Sequence, residues 1–187
     1  MMKFILPLFL WLPLSANASF LFKYGLNYSS QKDSSSIEDH ESARTFHKIS
    51  LGASINGKKT LFLGWGVNSW NSTLKQGTAE ESAYSLLEMG PNFLWFLTEN
   101  YNFYITGEWN PYARGDRDKN GTSRDIQGSS MGFGMGYRYR LSRFWGLGAS
   151  INYHSLGIKE EKIGSTEDDI SDKVTNLMPM LELTLLI

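Results

Sequence analysis

Hydrophobic and polar positions alternate with a period of two along most of this chain, and nowhere more regularly than from Gly128 to Tyr153. Met131, Phe133, Met135, Tyr137 and Tyr139 fall on one face of an extended strand, with Gly132, Gly134, Gly136 and Arg138 on the other. After a tight turn at Leu141-Ser142-Arg143 the scheme repeats. Trp145, Leu147, Ala149, Ile151 and Tyr153 alternate with Gly146, Gly148, Ser150, Asn152 and His154. Such a hairpin has a broad apolar face and a nearly bare one. Interior glycine weakens a strand unless something crowds it, and the interior of a narrow barrel is crowded. The pattern therefore predicts apolar side chains facing out and glycines facing in.

The same alternation predicts six more strands. The first runs from Phe20 with Phe22, Tyr24, Leu26 and Tyr28 outward, and Lys23, Gly25, Asn27 and Ser29 inward. The second, from about Arg44, has Ile49, Leu51, Ala53 and Ile55 outward. Asn56-Gly57, a pair suited to a type I′ turn, leads into a third with Leu61, Leu63, Trp65 and Val67 outward. The fourth spans Tyr84 to Trp95, and its Pro91, which has no N–H for a ladder, predicts a bulge. Phe103, Ile105 and Trp109 mark the fifth; Leu181, Leu183, Leu185 and Ile187 mark the last. Polar stretches at 31–43, 71–83, 114–127 and 156–172 read as long loops, and the connections near Gly57, Thr98 and Ser142 as short turns. All short turns fall at one end.

These features predict an all-β fold, an eight-stranded antiparallel up-and-down transmembrane β-barrel with long loops outside and short turns in the periplasm. Strands of about 9 to 13 residues suffice for a tilted crossing, which takes about 9 to 11. Two aromatic girdles are expected, Phe20, Phe22, Trp95, Phe103, Tyr139 and Trp145 below, and Tyr28, Trp70, Tyr84, Trp109 and Tyr153 above. A soluble lipocalin-like barrel would instead carry a charged outer face where this chain has glycine.

Residues 1–18 combine Lys3, an apolar run from Phe4 to Leu14 and the small-residue site Ala16-Asn17-Ala18, the pattern of a cleaved secretory signal peptide, leaving 19–187 as the barrel. The 187 residues include no cysteine, so packing and backbone pairing must hold an exported fold. With 18 Lys and Arg against 19 Asp and Glu, the balance argues against nucleic acid as a partner.

In these respects the chain resembles the small outer-membrane barrels of the OmpX and OmpA transmembrane-domain type. The resemblance implies a bacterial outer-membrane location, contact with outer-membrane lipid and lipopolysaccharide, folding by the barrel-assembly machinery, and a non-enzymatic role in envelope integrity or in binding a surface partner through the loops.

Inward positions define the candidate chemistry. Lys23, Glu88, Glu108, Arg138 and Glu182 form a predicted lumen charge network, with Lys23 and Glu182 paired across the closing strands and Arg138 in the same lower layer. Glu88 and Glu108 lie equally far from Thr98, which predicts that the two carboxylates face each other. Asp116, Asp118 and Asn120 alternate as the opening ligands of a calcium loop do, although Gln127 stands where the bidentate Glu belongs. His154-Ser155 raises a lipid-modifying hydrolase of the lipid A deacylase type, but adjacent strand residues point to opposite faces. No catalytic or cofactor-binding residue is assigned. A narrow pore is the remaining alternative, and the small lumen of eight strands opposes it.

Overall fold

The computed structural model describes residues 18–34, 39–76, 80–119, 121–163 and 166–187. The predicted leader therefore lies outside the described residues, apart from Ala18. The chain forms eight strands and no helix among the described residues: β1 (Phe20–Ser34), β2 (Asp39–Ser54), β3 (Leu61–Gln76), β4 (Glu80–Phe96), β5 (Phe103–Lys119), β6 (Thr122–Arg140), β7 (Trp145–Ile163) and β8 (Thr166–Leu186). Each pairs antiparallel with its neighbours in sequence, and β1 meets β8 to close the ring.

The outward face is apolar from the turn end to Tyr28, Trp109 and Tyr153, and Phe103, Tyr137, Met135, Phe133, Met131, Leu147, Ile151 and Leu181 are all exposed. Inward glycines leave room for neighbouring side chains. A β-carbon on Gly132 would meet Glu108 Cγ at 2.9 Å, and one on Gly136 would meet the Tyr104 ring. The bare face is thus bare because larger side chains cross the lumen above it.

Three expectations need correction. The four polar stretches are mostly paired strand, since β1 pairs with β2 as far as Ser34↔Asp39, β3 with β4 to Gln76↔Glu80, β5 with β6 to Lys119↔Thr122 and β7 with β8 to Ile163↔Thr166. A ladder has no reason to end where lipid ends, because in water both faces of a strand tolerate polar side chains. The strands are accordingly 15 to 21 residues long and run well beyond the apolar band.

Second, Asn56-Gly57 does not form a two-residue turn. The connection spans residues 55–60, the positive φ of 56° belongs to Lys59, and the Asn56 side chain accepts from the N–H groups of Thr60 (2.9 Å) and Leu61 (3.0 Å). Third, Trp70 is buried inside the ring and Tyr84 stacks on it, so neither belongs to the outer girdle. At Pro91 the β4/β5 register shifts between Met89 and Asn92, as a bulge requires.

Candidate functional site

The lumen is filled in layers. Nearest the turns, Phe62, Phe96, Leu94, Leu21 and Tyr104 pack together. Arg138 is buried toward the same end, folded over Gly146 and donating to the Phe144 carbonyl (3.3 Å).

Above lies an ion pair across the closing strands. Lys23 Nζ stands 3.0 Å from Glu182 Oε1, both side chains being buried. Register alone would place Gly25 opposite Glu182, so Lys23 reaches diagonally, over the Tyr104 ring at 4.8 Å. Glu182 accepts two further bonds, from the Tyr104 hydroxyl and from Ser150 Oγ (2.6 Å). Buried charges persist only when paired and hydrogen-bonded in this way.

Glu88 and Glu108 do not face each other. The connection is centred near Asn100, which puts Glu108 opposite Asn92, and the bulge then puts Glu88 opposite Ala113. Each carboxylate has its own partner. Glu108 pairs with Lys48 (2.9 Å), an inward lysine that the sequence reading passed over. Glu88 Oε2 accepts from His154 Nε2 (2.9 Å), Ser130 Oγ (2.8 Å) and Asn68 Nδ2 (3.3 Å). Lys48 shares the face of Ser50 and Gly52, so its parity was the available signal.

Above Glu88 the filling turns apolar, with Phe46, Trp70, Leu86, Ile126, Leu156, Ile158, Met178 and Met180 in one buried cluster. The His154 ring meets Phe46 and Trp70 edge-on, with centroids at 5.5 and 5.8 Å.

This geometry limits the chemistry. His154 and Ser130 both bond to Glu88, so the carboxylate stands in the middle and the imidazole holds no hydroxyl proton; a nucleophilic triad needs the base between acid and nucleophile. Asp116 and Asp118 lie along a paired strand, opposite Asp125 and Ser123, whereas a calcium loop wraps its ligands around a turn. Asn120 falls outside the described residues. Among those residues no three His, Cys, Asp or Glu side chains are grouped to hold a metal ion.

A closed ring of eight antiparallel strands, apolar outside and charged inside, is the fold of the small outer-membrane β-barrels. Among solved structures the chain is similar to Neisserial surface protein A, with a TM-score of 0.53 at 15% identity over 90% of this chain and 97% of that one. Lower scores relate it to the translocator domain of the autotransporter NalP from Neisseria meningitidis (TM-score 0.46, 11% identity, 90% and 61% of the chains) and to the outer membrane protein AlkL in lipid bilayers (0.39, 14%, 91% and 88%). The chain thus spans 61% of the translocator domain. At these identities the likeness is one of fold. No known family model matches the sequence, and no curated protein does.

Proposed function

We propose that this chain is a non-enzymatic outer-membrane barrel, exported by a cleaved leader at residues 1–18 and folded by the barrel-assembly machinery, that acts at the cell surface. Its polar strand ends extend past the lipid into the lipopolysaccharide layer, where they serve envelope integrity or engage a surface partner.

The observation that carries this reading is the filled lumen. The cavity among Lys23, Lys48, Phe62 and Asn92 measures about 10 Å³, room for roughly one water, and the buried side chains packed on either side of it argue against transport along the axis. The working surface is then the extended end. A cysteine at Gly121 is expected to react with a membrane-impermeant reagent on intact cells, and one at Lys58 is not; the reverse pattern would invert the orientation. In planar bilayers the purified protein is expected to give no stable channel. Reproducible conductance steps abolished by Gly134→Trp would replace this reading with a narrow pore.

A further inference from the structure

Among the described residues, the wall of the barrel is parted between β1 and β8. β1 pairs with β2 along its whole length, but with β8 over six pairs only, from Leu21↔Leu186 to Leu26↔Leu181. The cause is local. Phe20 and Ile187 exchange two backbone hydrogen bonds, of 2.7 and 2.9 Å, and in an antiparallel ladder such exchanges recur at every second pair. The one due after Leu26 and Leu181 would join Tyr28 to Pro179, and proline has no N–H to donate.

A single side-chain bond stands in its place, Asn27 Nδ2 donating to the Pro179 carbonyl at 2.6 Å. Asn27 is 3% exposed, and its Oδ1 accepts no bond from the protein. Beyond this point β1 and β8 are not paired with each other among the described residues.

The parting opens on the apolar band. Tyr28, Leu177 and Leu181 beside it are 70%, 70% and 71% exposed, more than any other large hydrophobic side chain among the described residues. A groove of about 630 Å³ runs over Leu26, Tyr28, Ile151 and Leu181 and reaches inward to Asn27 and Met180, a size within the range of about 300 to 1,000 Å³ common for small-ligand sites. Met180 belongs to the buried apolar cluster of the lumen, so the groove abuts that interior. An unpaired amide oxygen or backbone group in such surroundings calls for a hydrogen-bonding partner.

We propose that the parted seam binds one acyl chain of a membrane lipid that carries a hydroxyl or amide donor near its head. The chain lies along Leu26, Ile151 and Leu181 with its end against Met180, and the donor meets Asn27 Oδ1.

The test uses the full barrel refolded in phosphatidylcholine vesicles containing a small fraction of either of two photoactivatable probes of equal chain length, an N-acyl sphingosine with amide and hydroxyl donors, or a phosphatidylcholine without them. Adducts of the first are expected at Asn27, Tyr28 and Met180, several-fold above those at Leu87 and Trp95 on β4. Pro179→Thr restores the missing donor and should lower the seam adducts several-fold. Should that variant fail to fold, Ser30→Cys with Leu177→Cys offers a second route that keeps Pro179, because these residues would form the next exchanging pair of the ladder and such a closed pair has Cα atoms about 5.5 Å apart, within disulfide range. Oxidation after refolding should remove the adducts, and reduction should restore them. Labelling of the seam and β4 to the same extent, equal labelling by both probes, indifference to stapling, or a crosslink between two copies at Tyr28 would each overturn the proposal.

Discussion

The two halves of the β1/β8 seam are held in very different ways. In the lower half six residue pairs are in register, and Lys23, Glu182, Tyr104 and Ser150 tie the strands together from inside. In the upper half one bond from Asn27 remains. Pro91 sharpens the contrast. It too lacks a donor, yet the β4/β5 ladder resumes after one bulge and runs to Ser82↔Lys119. β4 and β5 are joined by a short connection that keeps them in register, whereas β1 and β8 come from opposite ends of the chain. The lesson is that a missing donor within a hairpin shifts a ladder, while the same defect where the ring closes ends it.

The largest expected effect comes from the lower half. Lys23→Met leaves Glu182 buried without its cation and should cost about 3 to 5 kcal/mol in urea unfolding of the refolded barrel, the usual range for breaking a buried pair. Lys23→Met with Glu182→Met should cost clearly less than the two single changes added. Simple additivity would show that the pair does not close the seam.

A smaller loss, about 1 kcal/mol, is expected for Asn27→Ala, which removes one neutral hydrogen bond. Hydrogen exchange should then speed up at Leu26 and Tyr24 while Leu185 stays protected. Uniform acceleration along the ladder would mean that the two halves form one cooperative unit.

The smallest effect lies beyond the membrane, at the paired end of β5 and β6. Slight desolvation of this exposed side chain, together with the hydrogen bond and charge of Asp125 opposite, raises the Asp116 carboxyl above the usual carboxylate range. A raised carboxyl is stabilising while protonated. Local stability should therefore fall as pH rises through and just above that range, read as faster exchange at Ile126, and Asp125→Asn should flatten the response. An unchanged response would exclude this pair as its source.

Period-two alternation made the ring legible, since strand number, order and facing follow from Met131 to Tyr139, Trp145 to Tyr153 and the lysine, glutamate and glycine positions between their counterparts. The layers inside were less legible. Lys23 and Glu182 could be paired because both count from the closing end, but matching Glu88 with Glu108 needed a turn centre that the Tyr101 backbone, at a φ of 58°, moves. Trp70 was misplaced by its residue type although its parity with Phe62 and Asn68 put it inside. Pro179 was visible in the sequence. Its effect depends on which strand edge it occupies, and that is fixed only when the ring closes.

The strand extensions have a consequence for recognition. A loop that meets a partner must first be ordered, and that loss of conformational freedom weakens the contact. Here paired backbone continues to Ser34↔Asp39, Gln76↔Glu80, Lys119↔Thr122 and Ile163↔Thr166. A molecule docking on these ribbons meets a backbone already arranged by folding. The affinity of such a molecule would be set by the side chains it met, and exchanging those side chains would change what is bound without rebuilding the scaffold beneath.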